Sequence, residues 1–208
     1  MLTTMPSAGS PVAVFDFDGT IIRGDSTTEF CREELGGRIL LALMRAAPCL
    51  AGYRLGLVDR QRLKESLLTP LLGGREEPEV RARAADWAAR RLPGMVRPAA
   101  MERIRWHRSE GHRVVIASAS LEILLYPWAA AAGVDDVLAT RLQVQGGRLT
   151  GRIAGRNCYG PEKVVRLRAL LGDVAGVDLY AYGDSRGDRE LLAAARHPVF
   201  RPFRDDAR

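Results

Sequence analysis

The run from Val12 to Phe17 is apolar except at Asp16, rich in Val and Phe, and closed by Asp18-Gly19. It predicts a buried strand that ends in a loop. Ser26-x-x-Glu29 is a capping-box pattern opening a helix toward Leu35, with Gly36-Gly37 ending it. Pro48, Gly73-Gly74 and Pro93-Gly94 then divide residues 36–97 into three or four helical pieces with no strand pattern among them. From Pro98 the pattern changes. A helix runs to Glu110 and stops at Gly111, Arg113 to Ala117 reads as a second buried strand, and a helix from Leu121 to Ala132 ends at Gly133. Arg141 to Gln145 and Arg148 to Ile153 flank Gly146-Gly147, a two-residue hairpin signal. A helix opened by Pro161, a strand Asp178 to Tyr182, a helix Ser185 to Ala195 and a short strand Pro198 to Phe200 complete the chain.

Strands alternating with helices predict an α/β fold, a parallel sheet covered on both faces, with the helical pieces as an insertion after the first strand. The 208 residues suit one domain plus such an insertion, and 47% hydrophobic with 27% charged residues is ordinary for a soluble globular chain. No window of about 18 uncharged apolar residues exists, so a membrane span is not expected. Met1 to Pro11 carries no basic segment followed by an apolar one, and nothing there resembles a secretory leader. Cys31, Cys49 and Cys158 are odd in number and widely spaced, which reads as reduced thiols in a cytoplasmic protein.

The net charge is +6, and the basic residues are nearly all arginine: Lys64 and Lys163 are the two lysines. An excess of this size draws polyanions in general, whether nucleic acid, anionic lipid or phosphorylated metabolites. Trp87, Trp106 and Trp128 are scattered through helices, unlike a stacking platform for bases, so no nucleic-acid partner is expected. His107, His112 and His197 lack metal-ligand spacing and read as surface or packing residues. Arg-Gly-Asp occurs twice, at 23–25 and 186–188, as a coincidence of an arginine- and glycine-rich sequence. Ile39 to Met44 is apolar on nearly every side, with Arg38 and Arg45 two turns apart. That pattern fits a helix packed against its neighbours, the commoner case, or one lying on a membrane surface.

Asp16-Phe17-Asp18-Gly19-Thr20 sits at the end of the first strand, where open α/β sheets bind ligands. Alternation along the strand sends Asp16 and Asp18 to one side and Phe17 into the core. Two adjacent carboxylates call for a cation or proton between them. Ser118, following the second strand, offers a hydroxyl and the amides after it, Ala119 onward, to a phosphate oxygen. Lys163 stands in the first turn of a helix, where a cation is mildly unfavourable. A compact ammonium shared between a phosphoryl group and a carboxylate would account for it. Gly183-Asp184-Ser185-Arg186-Gly187-Asp188 places two further carboxylates after another strand.

In this order, the four elements resemble the haloacid dehalogenase superfamily of phosphohydrolases. The likeness covers nearly the whole chain and is strongest to its phosphoserine-phosphatase-like subclass, which has a helical cap between the first two motifs. Arg23-Gly24-Asp25-Ser26, Cys158-Tyr159-Gly160-Pro161-Glu162-Lys163 and Tyr182-Gly183-Asp184-Ser185 look like the bacterial phosphatidylglycerophosphate phosphatase branch. The resemblance implies a Rossmann-like three-layer α/β/α core, residues 1–20 and 98–208, and a helical cap, residues 21–97. It implies an Asp16 nucleophile forming an aspartyl-phosphate and Asp18 as general acid and base. Ser118, Ala119 and Lys163 would bind phosphate. Mg2+ would be held by Asp16, the Asp18 carbonyl and Asp184, with Asp188 completing or ordering the shell. Thr20 and Asp25 would face the substrate and cap. Phosphoserine phosphatases carry Glu where this chain has the shorter Asp25, and Asn where it has Gly187, so the substrate stays open between a lipid-linked phosphomonoester and phosphoserine, histidinol phosphate or a sugar phosphate. A non-catalytic phospho-ligand binding module is the alternative of another class.

Overall fold

The computed structural model describes residues 10–204. The opening segment that was compared with a leader lies outside them, except for Ser10 and Pro11. Five strands form one parallel sheet in the order β3-β2-β1-β6-β7: β1 (Val12–Phe15), β2 (Arg113–Leu121), β3 (Asp136–Thr140), β6 (Leu179–Gly183) and β7 (His197–Phe200). Alternation decides what each face buries. Val12 and Val14, with Val115 and Ala181, pack against Val164 and Leu167 of α7 (Pro161–Leu171) and Leu191 of α8 (Arg189–Ala194). Ala13 and Phe15, with Val114 and Ile116, face the opposite layer, which includes Ile104 of α5 (Pro98–Ser109) and Leu124 of α6 (Glu122–Ala132). Both sheet faces are therefore covered, as a parallel sheet requires.

Four helices intervene between β1 and α5: α1 (Ser26–Glu34), α2 (Ile39–Arg54), α3 (Arg60–Leu72) and α4 (Glu77–Met95). The expected breaks at Pro48 and at Pro93-Gly94 are not there. α2 continues through Pro48 and α4 through Pro93 to Met95, because a proline removes one backbone donor while the surrounding Ala and Leu residues sustain the remaining bonds. Gly73-Gly74 does end a helix, and the 73–77 segment pairs with the hairpin of β4 (Leu142–Gln145) and β5 (Arg148–Ile153). Gly74 N donates to Leu149 O at 2.8 Å and Leu149 N to Arg75 O at 2.9 Å. The hairpin thus packs with the inserted helices rather than extending the main sheet. Gly151 lies against α3 at φ +78, where a Cβ would stand 2.3 Å from Thr69 Cα.

Three further expectations are corrected. β1 ends at Phe15 rather than Phe17, since the chain turns as soon as the acidic loop begins. Asp25, not Ser26, caps α1: its side chain accepts from Thr28 N at 2.7 Å, while Ser26 is buried. The segment Ser185–Ala195 is a short 3-10 turn, Arg186–Asp188, followed by α8. β3 was not predicted at all.

Candidate active site

The sheet order reverses at β1, the topological position where α/β sheets bind ligands. Phe15 pairs with Ile116 of β2 on one side and Tyr182 of β6 on the other, and Asp16 N donates to Tyr182 O at 2.8 Å. The loops after these strands consequently emerge side by side. Gly19 holds φ +77, and a Cβ on it would lie 2.6 Å from Asp184 Oδ2. That position lets the first acidic loop lie directly against the last.

Asp16 and Asp188 are joined by a single buried cation. Lys163 Nζ donates to Asp16 Oδ1 and to Asp188 Oδ1, each at 2.6 Å. Thr20 Oγ1 reaches Asp16 Oδ2 only at 3.5 Å. The other oxygen of Asp188 accepts from Ser185 N, Ser185 Oγ and Asp184 N, which fixes the last loop around it. Asp184 pairs at its Oδ2 with Arg204 at 2.9 Å. Burial pushes the Asp16 carboxyl up to about 7, against the lowering effect of Lys163 and helped by Asp188 and Asp18. Burial also works against the charge on Lys163, yet Asp16 and Asp188 outweigh it and hold the ammonium above its ordinary range.

One oxygen each from Asp16, Asp184 and Asp188 lies within 4.8 Å of the others. With one lysine between two buried acids and a third acid alongside, the cluster has more negative than buried positive charge. Hard oxygen donors with that imbalance fit a divalent cation such as Mg2+. Because both Asp188 oxygens are already engaged by protein donors, its contacts favour ordering the loop and Lys163, with Asp16 and Asp184 as the more open donors.

Asp18 sits in different surroundings. Its Oδ1 accepts from Ser26 N at 2.8 Å and its Oδ2 accepts a short bond from Ser120 Oγ. Burial, with Asp25 adding to it, pushes this carboxyl up to about 6, while the Ser120 and Ser26 bonds pull it down. Lys163 bridges Asp16 and Asp188, whereas hydroxyl and amide donors hold Asp18. A cavity of about 330 Å3 opens beside it between α1, α2, α3 and the end of β2. Asp25, Arg60, Lys64 and Asn157 are among its polar lining, and Ile39, Leu63 and Leu67 among its apolar lining.

Of the residues singled out from sequence, Asp16, Asp184, Asp188 and Lys163 meet in one cluster, and Asp18, Ala119 and Asp25 line the cavity. Ser118 is buried, and its Oγ accepts from Ser120 N at 3.1 Å. It does not follow the strand as expected. β2 runs on to Leu121 with an irregular register between Ala117 and Leu121, and Ser118 lies within that irregular stretch. Three contributors escaped the sequence reading. Lys64 donates to Ala119 O, in a short bond, and at 3.5 Å to Asn157 Oδ1. Burial pushes it down to about 8 against the pull of Asp25 and Asp18. Ser120 holds Asp18, and Asn157 is fixed by Thr140 Oγ1 at 2.9 Å. Only the rarity of lysine pointed to Lys64; Ser120 and Asn157 left no sequence signal.

Comparison with known proteins gives consistent matches. The family described as haloacid dehalogenase-like hydrolase matches residues 13–193. Protein CicA of Caulobacter vibrioides is 35% identical over 196 residues, 93% of this chain and 86% of that protein. A Mycobacterium tuberculosis protein named as a phosphatase is 32% identical over 204 residues, 93% of this chain and 69% of that one. A Bordetella pertussis structure of unknown function superposes with TM-score 0.74 at 28% identity, covering 88% of this chain and 86% of that chain. A substrate-bound phosphoserine phosphatase, at TM-score 0.62 and 20% identity over 92% of this chain and 84% of that chain, shares the fold.

Proposed function

Since the chain belongs to the haloacid dehalogenase-like hydrolases, we propose that it is a Mg2+-dependent phosphomonoester phosphatase working through an aspartyl-phosphate on Asp16. The observation that carries this reading is the pairing of two carboxylates in opposite settings: buried Asp16 against Lys163 and the acidic cluster, half-buried Asp18 against hydroxyl and amide donors beside a cavity.

In this scheme an Asp16 oxygen attacks phosphorus and the bond to the substrate's ester oxygen breaks, with Asp18 giving its proton to the departing alkoxide. Asp18, now a carboxylate, takes a proton from water. That water's oxygen attacks the phosphorus, the Asp16–phosphoryl bond breaks, and inorganic phosphate leaves. An Asp18 raised to about 6 can hold and release the proton near neutral pH. Lys163, the Ser118 hydroxyl and the amides from Ala119 onward would receive phosphoryl oxygens, so positioned positive charge meets the charge of the transition state. Asp16, Asp184 and the Asp18 carbonyl would hold Mg2+, which supplies further neutralisation of the phosphoryl group, and Asp188 would order Lys163 and the last loop. Residues 21–97 would act as the cap, aided by the β4–β5 hairpin, over a core of residues 1–20 and 98–208. Asp25 and Thr20 would stand on the substrate side of the boundary, and the free thiols of Cys31, Cys49 and Cys158 support a reducing, cytoplasmic setting.

The apolar cavity wall supports an alcohol carrying a lipid, such as phosphatidylglycerophosphate. A second reading, phosphoserine, is favoured by the opposite charges of Asp25 and Lys64 in the same cavity. One of the relatives, a phosphoserine phosphatase of Archaeoglobus fulgidus, is 25% identical over 185 residues, 88% of this chain and 49% of that protein. Asp16→Asn should abolish magnesium-dependent phosphate release from p-nitrophenyl phosphate with the fold retained by circular dichroism. Undiminished release, or a wild type that binds phosphate analogues and hydrolyses nothing in a phosphomonoester panel, overturns the proposal. Phosphatidylglycerophosphate, phosphoserine, histidinol phosphate and sugar phosphates in that panel separate the substrate readings.

A further inference from the structure

α2 lacks the buried face that ordinarily keeps a helix on a globular protein. Of its sixteen residues only Ala42 and Ala46 are buried. Leu40 is 68% exposed and Met44 59%, and in the turn after the helix Leu55 reaches 75% and Leu57 79%. Among the described residues, eight of the fourteen exposed large apolar side chains fall between Leu40 and Leu57. The apolar excess is thus concentrated on this one stretch rather than spread over the surface.

Charge sharpens the picture. Residues 35–58 contain no Asp or Glu, although the chain holds 25 acidic residues, and their charges are Arg38, Arg45 and Arg54, all exposed. At 100° per residue, Leu40, Leu41, Leu43 and Met44 span one arc of about 160°, on the side away from the buried Ala42 and Ala46. An arc of that width is the single broad apolar face that a helix lying in the interfacial layer of a bilayer buries. A broad apolar face accompanied by arginines and no acids complements anionic lipid.

The helix cannot span the bilayer. Sixteen residues extend about 24 Å, short of a hydrocarbon core of roughly 30 Å, and among the described residues no single helix is long and apolar enough to cross. A bent pair with α1 passes by length and composition. But α1 starts at Ser26, whose amide holds Asp18 and whose hydroxyl meets Ser120 Oγ at 2.6 Å, so α1 stays in the site. Ile39 and Leu43 line the cavity that Asp18 and Lys64 also line. One helix therefore belongs both to the cavity wall and to the exposed apolar surface.

We propose that α2 and the Leu55–Leu57 turn form an interfacial anchor that seats the protein on anionic bilayers and brings the cavity to the lipid surface. The substrate side of this inference, a phosphomonoester presented from the membrane, rests on the phosphatase reading; the anchor itself does not. The full chain is sedimented with vesicles of equal phosphatidylglycerol and phosphatidylcholine, or of phosphatidylcholine alone. Binding to the anionic vesicles is expected, with a loss of roughly tenfold or more on zwitterionic vesicles, in the double variant Leu40→Ser/Leu57→Ser, and in Arg38→Ala/Arg45→Ala. Circular dichroism and p-nitrophenyl phosphate hydrolysis, measured alongside, should be unchanged in both variants, and the dichroism shows that they fold. Wild-type protein left in the supernatant, or vesicle binding that the folded variants retain, overturns the anchor. A wild-type dimer seen by light scattering without vesicle binding, and lost in the leucine variant, assigns the face to a second copy and equally overturns it. Vesicle binding with the expected losses but no aryl-phosphate hydrolysis supports the anchor while defeating the phosphatase reading.

Discussion

Replacing Lys163 by Met removes the one cation between Asp16 and Asp188 while keeping a side chain of similar length. Lys163 is 2% exposed, and each carboxylate loses a 2.6 Å charge-assisted bond. Breaking a buried ion pair by deleting one partner costs about 3–5 kcal/mol, because the remaining charge is left uncompensated. For a chain of this size that corresponds to a fall in Tm of roughly 6–20 °C. The cost should depend on pH. Asp16 already titrates near 7 in the folded protein against 3.8 ordinarily, and losing the ammonium raises it further. A folded-state carboxyl pKa above the unfolded value means that the folded state binds more protons in between. The folded state is then relatively favoured on acidification and disfavoured as pH rises through the folded pKa. The stability gap between wild type and Lys163→Met should therefore be widest near pH 8 and narrow toward pH 5. Urea unfolding of both proteins in EDTA at pH 5, 6.5 and 8 measures it, since groups remote from Lys163 cancel in the difference. Turnover of p-nitrophenyl phosphate should fall by roughly 10²–10³. A gap that is absent at pH 8, or equal at pH 5 and 8, refutes the reasoning.

Ser120→Ala removes the hydroxyl that holds Asp18 as a carboxylate. Its pKa should climb from about 6 by roughly one unit, moving the alkaline limb of the kcat/KM profile to higher pH; an unmoved limb separates Ser120 from Asp18. His107 is fully buried between Tyr182 Oη at 2.9 Å and His112 Nδ1 at 2.8 Å, and burial pushes it down to about 4. With the folded pKa below the ordinary 6.5, its contribution is complete above 6.5 and lost as pH falls toward 4. Wild type should lose up to about 3 kcal/mol more than His107→Gln across that window in urea unfolding. Gly151→Ala must place a Cβ 2.3 Å from Thr69 Cα at φ +78, a cost of roughly 3 kcal/mol in thermal unfolding. Gly147→Ala, with φ +76 and open space around it, should cost only the left-handed penalty of about 1–2 kcal/mol.

The strands that were legible are those whose apolar run stops abruptly at a polar loop. Val12 to Phe17 and Arg113 to Ala117 were both legible as buried strands because burial on both sheet faces leaves a continuous apolar signal, although β1 ends earlier, at Phe15, and β2 later, at Leu121. β3 was invisible because Asp136-Val-Leu-Ala-Thr opens on an acid and is only partly buried, as an edge strand can be. The prolines within α2 and α4 misled because a local rule about backbone donors was asked to decide a matter settled by the packing and helix preference of the neighbours. At the site, the acids and Lys163 were legible through motif order. Lys64, Ser120 and Asn157 were not, since their partners are 55, 102 and 93 residues away for Ala119, Asp18 and Lys64 respectively, and no spacing along the chain reports such contacts.

The position of β1 at the centre of the sheet sets the order in which the molecule can be completed. Val12 pairs with Arg113 on one edge and Leu179 on the other, so β1 gains its second neighbour only after β6 has been synthesised. Contacts so distant in sequence slow folding, because long loops must close before any pairing is rewarded. The loop that carries Asp16 waits on β6 for its bond to Tyr182 and on α7 for Lys163. A nascent chain lacking its last third holds its central acid with neither in place. The cluster therefore assembles as one of the final events of folding.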